Sequence, residues 1–137
     1  MGNSEEFNLF LKYSKEIGSD ATMVHAAGGN TSIKLDDTMW VKASGKWLMN
    51  ALKEELMVPV SISKIKTYLE NNNFSESDLQ KSIVLALSPK GLRPSVEAPI
   101  HAVLDFKFVF HTHDININAL AVQINSQQIF QKALSGL

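Results

Sequence analysis

Residues 31–44, TSIKLDDTMWVKAS, contain two short extended segments that are separated by a pair of acidic residues. Residues 31–35 and 39–44 carry β-branched and aromatic side chains, which favour strands. Asp36 and Asp37 lie between them, and acidic residues in that position are typical of a hairpin turn. The stretch therefore predicts two short strands joined by a hairpin-like turn.

Helical patterns lie on both sides of this hairpin. Residues 4–17 predict an amphipathic helix, with Ser4 as a possible N-cap and with Phe7, Phe10, Leu11 and Ser14 on one face. Residues 106–111, FKFVFH, are aromatic and β-branched and predict a short buried strand. Further helices are predicted over 61–72, 76–87, 97–104, 115–123 and 126–134. Strands that alternate with helices indicate a single α/β domain over residues 1–137.

Composition narrows the possible functions. The 137 residues are 45% hydrophobic with a net charge of -1, and the 13 basic residues are scattered, so neither nucleic acid nor a membrane is expected as a partner. Because there is no cysteine, a metal would have to be held by His, Asp or Glu. There is no apolar run of the roughly 20 residues that a membrane span needs. The N-terminus also lacks the order of a signal peptide, so a cytoplasmic protein is expected.

The stretch VFHTHD, residues 109–114, carries two histidines one residue apart. On a strand, residues i and i+2 face the same side, so His111 and His113 could direct both imidazoles at one zinc ion. They could equally be hydrogen-bonded histidines at a strand end. Zinc needs a third protein ligand, and neither His25 nor His101 has a spacing that singles it out.

Glu97 begins a predicted helix just after the proline-containing loop 88–95. Next to a metal its carboxylate could act as a general acid or base, and burial would raise its pKa towards neutrality. The alternative is an acid that merely favours the helix N-terminus. His101 shares the helix face of Glu97, and a packed or Glu97-paired histidine is the preferred interpretation.

Two glycine-containing turns could bind an anion. In AAGGNTS (26–32) and KASGKWL (42–48), glycines can expose backbone N–H groups to a phosphate, and Asn30 and Ser44 add polar side chains. Both stretches are also compatible with ordinary turns, and neither matches the P-loop or the dinucleotide fingerprint. Positive charge could come from nearby lysines: Lys34, Lys42 and Lys46.

The order GGNTSIK, VKASGK, RPSVEAPIH and HTH resembles the class II aldolase/adducin family, which contains the fuculose- and rhamnulose-phosphate aldolases. The resemblance extends from about residue 5 to about residue 125. It implies a three-layer α/β/α domain with a central, mainly antiparallel sheet. It also implies zinc-dependent aldol cleavage or condensation of a sugar phosphate in a homo-oligomer, commonly a tetramer. A sugar-phosphate 4-epimerase, a dehydratase and a non-catalytic adducin-like scaffold are the alternatives.

The resemblance also assigns roles to individual residues. His111 and His113 correspond to zinc ligands, and Glu97 corresponds to the catalytic acid/base. Five residues correspond to the phosphate-binding positions: Gly29, Asn30, Ser44, Gly45 and Ser95. Val96 stands where the family has a second phosphate-binding serine, so weaker phosphate binding or an altered substrate group is expected.

One element of the family pattern is missing. The third zinc-binding histidine of the family lies well downstream of the H-x-H motif, and no histidine follows His113 here. Three explanations are a truncated chain, a separately encoded second half and a non-catalytic relative. Truncation is favoured because Glu97, His111 and His113 are all retained. We therefore expect a C-terminally incomplete domain with weak zinc occupancy and an exposed apolar surface.

Overall fold

The architecture comes from a computed structural model that describes residues 5–71, 75, 79, 83–85, 88, 89 and 91–136. In chain order its elements are α1 (Glu5–Gly18), β1 (Asn30–Leu35), β2 (Thr38–Lys42), a 3₁₀ helix (Leu48–Asn50), β3 (Met57–Ser61), α2 (Ile62–Glu70), α3 (Ala98–Val103), β4 (Phe108–His111), α4 (Ile115–Ala121) and α5 (Ser126–Leu134).

The predicted hairpin is the centre of the sheet. Strands β1 and β2 pair in antiparallel fashion, and Asp36 in the turn adopts a positive φ of 53°. The sheet has four strands in the order β3-β2-β1-β4, and each neighbouring pair is antiparallel. Asn30 at the start of β1 lies opposite His111 at the end of β4. This register places Asn30, a predicted anion-binding residue, next to His111, a predicted metal ligand.

Both faces of the sheet are covered, because successive side chains of a strand point to opposite sides. Met39 and Val41 pack with residues of β3, α2 and α3 in one buried cluster. Ile33 belongs to a second cluster, with Phe10 of α1 and Leu48 of the 3₁₀ helix. The arrangement is the three-layer α/β/α domain with an antiparallel sheet that the family resemblance implied.

The buried face, the cap and the first-turn proline that the sequence predicted for three helices are found in α1, α2 and α3. Phe10 and Ser14 are the buried residues of α1, on the predicted face, whereas Ser4 lies outside the described residues. The hydroxyl of Ser61 accepts a hydrogen bond from the backbone N–H of Lys64 and so caps α2. Pro99 lies in the first turn of α3, where a missing N–H costs nothing.

Strand β3 was not predicted from the sequence. Pro59 lies in its middle, and proline is tolerated because β3 is the last strand in the sheet order. Most of the predicted helix 76–87 lies outside the described residues, but its predicted end is wrong. Val84 forms a bridge with Val60, and Leu85 N–H donates to the carbonyl of Pro59, so the chain is extended there.

The prediction of a buried strand at 106–111 is only partly correct. Strand β4 spans Phe108–His111, and of its residues only Val109 is buried. Phe108 and Phe110 are 39% and 38% exposed, because β4 is the other end strand of the sheet. Helices α4 and α5 have no buried residue, and Val122 and Ile124 are exposed, which gives the expected apolar surface. None of the helices in the described part of the chain is both long and apolar enough to cross a membrane.

Candidate functional site

Three segments that are distant in sequence meet at one end of the sheet. Asn30 begins β1, His111 ends β4, and Glu97 immediately precedes α3. The Glu97 side chain makes no hydrogen bond to the helix N-terminus that it precedes. Its carboxylate instead contacts the strands, so the simple role of an acid at a helix N-terminus does not account for this residue.

Glu97, His111 and His113 form a cluster in which one ligand atom from each lies within 4.8 Å of the others. His111 Nδ1 is 3.4 Å from Glu97 Oε1, and the two imidazole centroids are 5.1 Å apart. Strand β4 ends at His111, so His113 is not held by the strand periodicity from which it was predicted. Its backbone N–H donates to the carbonyl of Met23 over 2.8 Å, which fixes the loop that carries it.

The donor set fits a divalent metal. Two neutral imidazoles and one carboxylate are a ligand set found in catalytic zinc sites, where the fourth position is left to water or substrate. The sequence assigned Glu97 only to proton transfer and left the third ligand missing. The structure places a carboxylate oxygen of Glu97 within 4.8 Å of the imidazole ligand atoms, so Glu97 could itself serve as a third ligand, and within the described residues no other such three-residue cluster occurs.

Glu97 is held by the neighbouring polar residues. Asn30 Nδ2 donates to Glu97 Oε2 over 3.0 Å. The hydroxyl of Ser95 lies 3.5 Å from the same oxygen and accepts the backbone N–H of Glu97 over 3.2 Å. Asn30 and Ser95, which were predicted to contact phosphate, both contact the Glu97 carboxylate in this structure.

The expected rise in the pKa of Glu97 is wrong. Burial does act to raise the pKa, but the hydrogen bond from Asn30 and the charges of His111, His113 and His101 outweigh it. The net result is a pKa below the ordinary glutamate value. The carboxylate is therefore ionised at neutral pH, the state that a metal ligand or general base requires.

His101 is a packed histidine, as preferred from the sequence, but its partner is not Glu97. Its side chain is 0% exposed, and Nδ1 lies 2.8 Å from the hydroxyl of Ser32. The buried Nε2 has no hydrogen-bond partner in the described structure. Burial, together with the charge of His111, lowers the pKa of His101 to about 4, so the ring is neutral at pH 7.

Lys42 joins the two glycine turns, a role that sequence reasoning missed. The side chain is 2% exposed, and Nζ donates to the carbonyls of Ala27 and Lys46, each over 2.8 Å. Burial lowers the pKa of Lys42, and the charge of Glu97 opposes this. The sequence offered no clear signal for this burial, because a lysine between Val41 and Ala43 fits the usual alternation of buried and exposed side chains along a strand.

The remaining predicted anion-binding residues lie in the two turns that Lys42 joins and in the loop before α3. Ser95 N–H donates to the carbonyl of Lys42 over 3.0 Å, so the loop before α3 is attached to the end of β2. Gly29 and Gly45 have positive φ angles of 65° and 74°, and a Cβ on Gly45 would meet no atom within 4 Å. Ser44 is exposed, as is Val96. We refer to Gly29, Asn30, Ser44, Gly45 and Ser95 as the anion cradle.

Comparison with known proteins agrees with the family resemblance and with the fold. Residues 9–135 match the family described as Class II Aldolase and Adducin N-terminal domain. The chain is 30% identical over 126 residues to the uncharacterized oxidoreductase YuxG of Bacillus subtilis (strain 168), which covers 85% of this chain and 18% of YuxG. It is 27% identical over 124 residues to methylthioribulose-1-phosphate dehydratase of Citrobacter koseri, which covers 81% of this chain and 50% of that protein.

The fold also matches a solved structure, the N-terminal class II aldolase domain of a conserved protein from Thermoplasma acidophilum. The TM-score is 0.76 at 24% identity, and the match covers 96% of this chain and 65% of that chain. The chain thus spans half the length of the dehydratase and less than a fifth of YuxG.

Proposed function

The chain belongs to the class II aldolase and adducin family, and from this premise we propose that it contributes a zinc-dependent site for aldol cleavage or condensation of a sugar phosphate. The observation that supports the proposal best is the cluster of Glu97, His111 and His113 beside the anion cradle. A metal-ligand set within reach of an anion site suits a substrate with a carbonyl group and a phosphate.

The proposed roles follow from the contacts. His111, His113 and Glu97 would hold the zinc ion, which as a Lewis acid would polarise a carbonyl oxygen. The ionised Glu97 carboxylate accepts a proton from the substrate and returns it, since it lies between the cradle and the histidines. Lys42 draws the two turns together, so that their N–H groups and hydroxyls orient the phosphate.

A dehydratase is the second candidate. The observation in its favour is the 27% identity to methylthioribulose-1-phosphate dehydratase, whose named substrate is also a phosphorylated ketose. Dehydration and aldol cleavage both need a polarised carbonyl group and a residue that moves a proton. The two activities therefore share the proposed roles of Glu97, His111 and His113 and are separated by their products.

Zinc binding is the first test. EDTA-treated protein titrated with zinc in a calorimeter is expected to bind one equivalent, because the cluster offers one set of three ligands. His111→Ala should lose this binding, whereas His25→Ala, outside the cluster, should retain it. Absence of stoichiometric binding in the wild type would refute the enzyme proposal and favour a non-catalytic adducin-like scaffold.

Activity is the second test. Zinc-loaded protein should be assayed against several ketose 1-phosphates for aldehyde and dihydroxyacetone phosphate, and against methylthioribulose 1-phosphate for dehydration. Glu97→Gln should abolish turnover, since an amide cannot accept the proton. Product identity decides between aldolase and dehydratase, and zinc binding without any turnover would contradict both proposals.

We further propose that the protein is a cytoplasmic homo-oligomer. The support for an oligomer is a set of exposed apolar side chains, among them Phe106 at 68% and Val122 at 84% exposure. Light scattering during gel filtration measures the mass. Phe106→Ser should shift an oligomer towards the monomer if this surface forms the contact, whereas a monomeric wild type would contradict the assembly.

A further inference from the structure

One carboxylate connects the anion cradle to the metal cluster. Glu97 Oε2 accepts from Asn30 Nδ2 over 3.0 Å and lies 3.5 Å from the hydroxyl of Ser95. Glu97 Oε1 faces His111 Nδ1 at 3.4 Å. One carboxylate oxygen of Glu97 is therefore held by two cradle residues, and the other lies against His111, next to His113.

The hydrogen bond to Glu97 is the side-chain hydrogen bond that the structure shows for the Asn30 amide. Asn30 is 1% exposed, and its Oδ1 atom is buried and has no hydrogen-bond partner within the described structure. An unpaired buried oxygen costs free energy, whereas a hydrogen bond from Nδ2 to a carboxylate recovers more than a neutral one does. The orientation of the amide thus depends on a negatively charged acceptor near the cradle.

In the proposed function, an anion in the cradle takes hydrogen bonds from the same two donors, Asn30 and Ser95. Phosphate and sulfate oxygens accept hydrogen bonds, and Ser95 has a single hydroxyl hydrogen to donate. Glu97 and the anion also repel each other, because both are negatively charged in a partly buried site. The most favourable arrangement moves the carboxylate away from Asn30 and Ser95 and towards His111 and His113.

We infer that Asn30 and Ser95 are positioning residues that exchange Glu97 for the substrate anion, so that anion binding directs Glu97 to the metal cluster. This inference rests on the proposed function and adds a coupling between its two halves. Anion and metal should each increase the affinity for the other, and by the same factor, since coupling free energies are reciprocal.

Sulfate binding to EDTA-treated protein, measured by calorimetry against a chloride control of equal ionic strength, tests the exchange directly. Glu97→Gln should bind sulfate about tenfold more tightly than the wild type, the lower end expected for release of a hydrogen bond to a charged group. Glu97→Ala should bind at least as tightly, because the glutamine carbonyl can still compete. A gain in affinity cannot come from partial unfolding.

A matched control separates donor exchange from general repulsion. Glu54 is an exposed carboxylate that pairs with Lys46 Nζ beside the second turn, and it does not contact Asn30 or Ser95. Glu54→Gln removes the same charge and should leave sulfate affinity within about twofold of the wild type. Equal sulfate affinities for the wild type and both Glu97 variants, or a similar gain in Glu54→Gln, would overturn the inference.

The zinc arm separates this inference from the proposed function. Zinc should tighten sulfate binding to the wild type about tenfold, like Glu97→Gln, and should have no such effect on His111→Ala. A wild-type protein that does not bind zinc contradicts the proposed function, while the metal-free Glu97 comparison still decides the exchange. A protein that binds zinc without any change in sulfate affinity retains the metal site and contradicts the coupling.

Discussion

Acidification should destabilise the protein through His101, the fully buried histidine of α3 whose ring contacts Ser32 of β1. Its pKa is lowered from 6.5 to about 4, by burial first and then by the charge of His111. Between these two values the unfolded chain binds a proton that the folded protein excludes. Stability is therefore fully present above about pH 6.5 and is lost as the pH falls towards about 4.

The size of the effect follows from the depression of the pKa. At about 1.4 kcal/mol per pKa unit, the whole window corresponds to about 3 kcal/mol, and about 2 kcal/mol is lost by about pH 5. That is a large share of the roughly 5–15 kcal/mol that stabilises a typical domain. Carboxylates with lowered pKa values, such as Glu97 and Asp37, contribute mainly below about pH 5, so the upper part of the window can be attributed to His101.

Urea unfolding followed by tryptophan fluorescence at several pH values between about 7.5 and 5 measures this loss. The matched variant is His101→Gln, which keeps a polar side chain and cannot titrate. The variant should be less stable than the wild type at neutral pH, because it disturbs a buried contact with Ser32. Its free energy of unfolding should, however, change little over the same range of pH.

The difference between the two pH profiles is therefore the decisive quantity. If His101→Gln loses the same roughly 2 kcal/mol on acidification as the wild type, the loss arises elsewhere and the assignment to His101 is refuted. If neither protein loses stability above about pH 5, the ring is protonated in the folded state and the argument from burial is wrong.

Three further substitutions test the cradle. In urea unfolding, Gly29→Ala should cost more stability than Gly91→Ala, although both glycines have a positive φ. The reason is that a Cβ on Gly29 would lie 2.8 Å from a methyl group of Val24, whereas a Cβ on Gly91 would meet nothing within 4 Å. Equal costs would contradict the packing. Lys42→Met should cost about 3 kcal/mol and weaken sulfate binding at least tenfold, while Lys46→Met should cost under about 1 kcal/mol. Similar losses would refute a special role for Lys42. Val96→Ser should restore a hydroxyl donor and tighten sulfate binding severalfold in calorimetry; unchanged affinity would place this position outside the cradle.

Local patterns predicted the elements that form from their own residues. The apolar spacing of α1 and the turn at Asp36 act over a few residues, and the structure confirms both. Strand β3 was missed for a local reason as well. Pro59 argues against a strand, because proline is unfavourable in a strand unless that strand lies at the edge of a sheet. Edge position depends on the order of strands, which no short window contains.

The order of the motifs identified the residues of the candidate site, but it did not predict the contacts between them. The sequence alone determined a hairpin of two strands, a histidine pair at the end of a strand, and the family that these motifs resemble. Only the tertiary structure placed Glu97 beside His111 and bound it to Asn30, a residue 67 positions away. It also buried Lys42, which bonds to both glycine turns, and His101, whose ring contacts Ser32 of β1. The physical reason is that pKa values, ligand sets and buried charges depend on neighbours in space, whereas local periodicity and turn chemistry depend on neighbours in sequence.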